Sequence, residues 1–144
     1  MNMDFLQVLG VPRKSEEEIQ FTSPLVYAYL GDAIYEVYVR TYITCRYGGS
    51  VNDLHKIATR FVKASAQARI VRGLENELST EEWNLLKRGR NQKSGSVPKN
   101  ANISDYKYAT GFEALIGYLY LMGQSERMEQ IILRAIDIIE KSEE

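Results

Sequence analysis

Residues 25–40 read LVYAYLGDAIYEVYVR, an aromatic, apolar run interrupted by the pair Gly31-Asp32. Ser23-Pro24 precedes it, and this order predicts a helix with serine as N-cap and proline at the first helical position, running to the Gly48-Gly49 stop. A carboxylate in the middle of such a helix is an anomaly. Buried and unpaired, it would destabilise the fold by several kcal/mol, so Asp32 is expected to have a positively charged partner, a hydrogen-bond network or a metal ion.

Downstream the same signals recur. Ser50 is expected to cap VNDLHKIATRFVKA, a third helix is expected around SAQARIVRGLENEL, and STEEWNLLKRGRN opens with Ser79 and Glu82 in capping-box spacing. NQKSGSVPKNANIS has no apolar period and reads as a loop. Ser104 is the expected cap of DYKYATGFEALIGYLYLM, and Gly123 separates that helix from ERMEQIILRAIDIIEK, with Ser125 as its expected cap. No stretch alternates as a strand would. The reading is an all-α chain, with residues 1–144 forming one domain without repeats.

The 144 residues are enough to bury roughly two-thirds of the unfolded surface in one core. The single cysteine, Cys45, has no partner for an internal bridge; it reads as a packing residue and suits a reducing cytoplasm. The N-terminus lacks the apolar run of a signal peptide, and no window has the length of a membrane span, so a soluble, unexported protein with no membrane partner is expected. A net charge of −1 argues against a generic polyanion binder, but the distribution points the other way. Residues 54–74 and 83–104 contain no acid and hold ten of the eighteen basic residues, and a near-neutral protein whose basic residues are segregated in this way can still bind a polyanion.

A second anomaly lies in ATGFEALIGYLYLM, apolar almost all round yet carrying Glu113, with Thr110 on the same face. If this helix packs against the first, Asp32 and Glu113 converge, and two carboxylates with waters and substrate phosphate oxygens make a magnesium site. Glu36, one turn after Asp32, and Asp105, two turns before Glu113, are candidates for the same faces, and the sequence leaves open whether they or Thr110 assist the metal. Spacing alone leaves a second reading open, in which each acid is satisfied by one of ten tyrosines, a helix cap or an arginine.

Lys56, Arg60 and Lys63 fall at i, i+4 and i+7, a stripe able to follow phosphates or simply a solvated helix face. KRGRNQKSGSVPKN adds Arg88, Arg90, Lys93 and Lys99, with Gly95 and small polar residues permitting close backbone approach to phosphate. It lacks the glycine spacing and the strand of a Walker loop. His55, the only histidine, has no catalytic companion at a suggestive spacing and reads as a surface or capping residue.

In this order, YLGDAIYE and TGFEALIGYLYL, separated by basic helices and a KSG loop, resemble the catalytic domain of the ribonuclease III family. NDLHK and KRGRNQKSGSVPKN extend the resemblance to its Mini-ribonuclease III form, which lacks a double-stranded-RNA-binding domain; the chain ends where that domain would begin. The resemblance spans Pro24 to Met122. It implies that Asp32 and Glu113 are the catalytic, metal-binding acids. Classical members carry two more acids before the Gly-Asp pair, where this chain has Leu25 and Ala28, and an aspartate three residues before the glutamate, where it has Thr110. These departures follow the Mini-type pattern and imply a reduced ligand set.

The resemblance further implies a homodimer with Tyr29 in its seam, Mg2+ as cofactor with Mn2+ able to substitute, and cleavage of double-stranded RNA to 5′-phosphate and 3′-hydroxyl ends. The implied substrate is precursor large-subunit (23S) ribosomal RNA, and the sequence leaves a ribosomal-protein helper open. Two rivals stand beside this reading. One is a catalytically silent RNA-binding or ribosome-assembly dimer, supported by the thinned acid set; the other is a structural helical module, for which the basic segments are accidental.

Overall fold

The computed structural model describes residues 5–92 and 97–142. Among these residues there are only helices: α1 (Phe5–Leu9), α2 (Glu16–Phe21), α3 (Pro24–Arg46), α4 (Val51–Val62), α5 (Ala64–Leu74), α6 (Thr80–Arg90), α7 (Ile103–Leu121) and α8 (Ser125–Ser142). None is long and apolar enough to cross a membrane.

The starts of the helices follow local chemistry. The Ser23 hydroxyl accepts from Leu25 N–H with Pro24 at the first position, and Ser50 and Ser79 form capping boxes with Asp53 and Glu82. Two expected caps are corrected. Ser104 is the second residue of α7, because the side chain of Asn102 already accepts from Asp105 N–H, and Ser125 is the first residue of α8, not a cap outside it. Helices α1 and α2 were not expected, although Ser15 and Glu18 form a capping box at the start of α2 that is visible as a spacing. Cys45 is exposed, on the outer side of α3, and fills no core position.

Helix α7 is the axis of the fold. Ten of its residues are buried, as expected of a helix apolar all round, and α3, α5, α6 and α8 pack on its sides. Helix α3 packs against it most extensively. There Gly31 and Gly117 let the two backbones meet: a Cβ on Gly31 would collide with the Glu113 carbonyl, and one on Gly117 with the Tyr27 carbonyl. Helix α4 closes over α3 through Ala58 and Phe61, and the Tyr35 hydroxyl donates to the Phe61 carbonyl at 3.1 Å. The Tyr35 and Phe112 rings pack edge to face at 5.1 Å, joining α3 to α7.

Candidate active site

The glycine crossing decides where the two anomalous acids lie. Asp32 immediately follows Gly31, and Glu113 lies one turn before Gly117, so the close approach of the two backbones brings both carboxyls to one place. Asp32 is exposed and Glu113 half-buried. The expectation that the acidic position of α3 is buried is therefore corrected: the helix is buried on the side of Tyr27, Gly31, Ile34 and Tyr35, and Asp32 stands at the edge of that face.

The partner of Asp32 is another acid. Burial, the Asp32 charge and a hydrogen bond within the carboxyl pair push the Glu113 carboxyl up to about 8, with a smaller push from Glu36 and a pull downward from Gln67. Two carboxyls this close hold a proton between them unless a cation replaces it. Such a pair is a half-built site for a hard cation, which takes the remaining oxygens from water and substrate phosphate. No third His, Cys, Asp or Glu joins the pair among the described residues. The donors present thus fit a hydrated divalent ion held by two carboxylates.

The neighbouring candidates have other occupations. Glu36 is paired with Arg40 at 3.0 Å, and the Thr110 hydroxyl donates to the Tyr106 carbonyl at 3.1 Å. Asp105 stands in the first turn of α7, eight residues and about 12 Å along the axis from Glu113. The residue that sequence reading missed is Gln67 of α5, which is buried and donates from Nε2 to the Glu113 carboxylate at 3.3 Å and to the Val62 carbonyl at 2.9 Å. Its signal was available: Gln67 is the one polar member of the face formed with Ile70, Val71 and Leu74.

The basic residues do not form one patch. Lys56 and Lys63 are exposed along α4 and at its C-cap, while Arg60 between them is half-buried near Tyr47. On α6, Arg88 lies beside Tyr27 and Tyr118, whereas Arg90 stacks over the Tyr108 ring at 5.5 Å and donates to Asn91. Two positions apart on a helix means about 200° around it, which accounts for the split. Lys99 is exposed in the segment before α7, and Lys93 falls outside the described residues. His55 is exposed on α4.

A helical domain with paired acids at a glycine crossing has matching relatives. The model of the ribonuclease III domain matches residues 25–124, a span that contains both acids and the crossing. Mini-ribonuclease 3 of Clostridium tetani is 46% identical over 129 residues, covering 89% of this chain and 85% of that protein. Mini-ribonuclease 3 of Brevibacillus brevis is 52% identical over 119 residues, covering 83% and 89%. A crystal structure of a Fusobacterium nucleatum protein superposes with a TM-score of 0.73 at 34% identity, covering 88% of this chain and 98% of that one. The chain belongs to the ribonuclease III family of endoribonucleases, in its Mini-ribonuclease 3 group.

Proposed function

We propose that this endoribonuclease cleaves double-stranded RNA at a Mg2+ site held by Asp32 and Glu113, with Mn2+ able to substitute. The observation that carries this reading is the convergence of the two carboxyls across the α3–α7 crossing, where their mutual repulsion makes a cation the natural third member. Bound there, the ion lowers the pKa of a water and offsets charge developing on the phosphate. The chain's own part is to orient that site. Asp32, at the surface, faces the incoming backbone; Glu113, set deeper, is fixed by its helix and by Gln67.

Lys56, Lys63 and Lys99, all exposed, supply phosphate contacts without base reading, and Arg60, Arg88, Arg90 and Lys93 complete the proposed RNA-binding set. The protein acts as one domain in a homodimer, supported by the large apolar side chains left exposed at the end of α2 and in the first turns of α3: Phe21 is 84% exposed, Val26 52% and Tyr29 84%. Two copies sealed through those residues present two sites, one for each strand of a duplex. Products carry 5′-phosphate and 3′-hydroxyl ends, and the substrate class is precursor 23S ribosomal RNA in the cytoplasm, a compartment that suits the exposed free thiol of Cys45.

The test is incubation of the pure protein with a long RNA duplex, with and without Mg2+. Shortening of both strands only with the ion supports the reading. An intact duplex in Mg2+ and in Mn2+, bound or unbound, defeats it.

A further inference from the structure

We propose that Gln67 is a positioning residue that holds the Glu113 carboxylate ready for the cation by bracing it against the α4–α5 corner. This inference rests on Asp32 and Glu113 forming the cation site. It starts from a burial anomaly. Gln67 is 3% exposed and is the one buried polar side chain among the described core residues, all the others being apolar or tyrosine. A buried amide is unfavourable unless its hydrogen bonds are made, and an apolar residue would pack there at less cost.

The bonds it makes tie the end of α4 to α7, a pair of helices that otherwise hardly touch among the described residues. Nε2 donates at 2.9 Å to the carbonyl of Val62, the last residue of α4, and at 3.3 Å to Oε2 of Glu113 on α7. The amide cannot be turned over, because Oε1 would then face a carbonyl oxygen and a carboxylate that offers no proton once ionised. Oε1 has no hydrogen-bond partner among the described residues. An amide that spends its donors on a peptide carbonyl and a ligand carboxylate, and keeps a bare acceptor, favours the ionised Glu113 and fixes its torsion. Outer hydrogen bonds of this kind tune metal ligands.

The bracing also connects chemistry to substrate. Val62 immediately precedes Lys63, the cap shared by α4 and α5, so Gln67 connects the carboxylate to the corner bearing that lysine.

The test compares Gln67→Met, which keeps length and volume but loses both hydrogen bonds, and Gln67→Ala with the parent and Asp32→Asn. Mn2+ alone is titrated calorimetrically, and melting is followed with and without the ion. For Gln67→Met we expect Mn2+ affinity to fall roughly 10- to 100-fold, metal-free melting to stay near parental, and metal-induced stabilisation to shrink. Gln67→Ala, scored per folded molecule, should lose affinity equally. Half-maximal cleavage should then need correspondingly more ion, while duplex affinity without ion is unchanged. Parental Mn2+ affinity in both variants, whatever their melting, overturns the positioning role while Asp32→Asn still abolishes binding. Failure of the parent itself to bind Mn2+ overturns the site reading instead.

Discussion

Gly31 and Gly117 face one another across the α3–α7 crossing, each at a position where a methyl group would strike the opposite backbone. The catalytic proposal depends on that close approach, because each acid is carried by the helix beside its glycine. Gly117→Ala should therefore cost about 3 kcal/mol, at the upper end for overpacking, since the obstacle is a peptide carbonyl and not a side chain that can rotate away. Urea denaturation gives the value, and parental stability would show that the helices have room to part.

Much of this was legible beforehand. Ser23-Pro24 and the boxes at Ser50 and Ser79 start their helices as the spacings require, because caps act over three residues and need no tertiary context. The two acids were conspicuous against apolar helices, and they do converge. What the sequence hid was three-dimensional. It could not show that Asp32 stands at the edge of the buried face, since α3 is apolar on its exposed side as well. Nor could it show that Gln67 reaches Glu113, 46 positions away, or that Arg88 and Arg90 diverge. Asn102 took the cap from Ser104 because both residue types qualify, and only backbone direction chooses between them.

The proton held by the acid pair gives stability a definite pH dependence. Glu113 titrates at about 8 in the folded chain, against an ordinary 4.5, so between those values the folded state keeps a proton that the unfolded state has released. Stability from this group is fully present below 4.5 and is lost as pH rises through about 8. Without divalent ions, denaturation midpoints should fall over that window. Asp32→Asn, which removes the neighbouring charge, should make the slope shallower, and added Mg2+ should restore stability at the alkaline end. An identical slope in parent and variant would contradict the coupling.

The exposed apolar residues of α2 and α3 predict assembly. Tyr29→Asp puts a charge on a residue that is 84% exposed in one copy, so folding should be unaffected within about 0.5 kcal/mol. In a dimer the same charge would be buried without a partner. Sedimentation should show parental dimers and variant monomers, with double-strand cleavage largely lost. A monomeric, fully active parent would remove the two-site arrangement.

Phosphate binding by the α4 stripe has a salt signature. Lys56→Ala with Lys63→Ala should weaken binding to unrelated duplexes alike and reduce the slope of log affinity against log salt by about one for each phosphate left without its lysine. A shift in preference among duplex sequences, with the slope unchanged, would assign these lysines another role.

The central claim is that Asp32 and Glu113 hold the ion that cleaves RNA, and Asp32→Asn tests it most directly because it keeps shape and removes charge. Turnover of an RNA duplex in Mg2+, measured per folded molecule alongside duplex affinity, should fall by orders of magnitude while the variant binds the duplex at least as tightly as the parent, a negative charge near the phosphates having gone. Near-parental turnover in that variant would contradict the account.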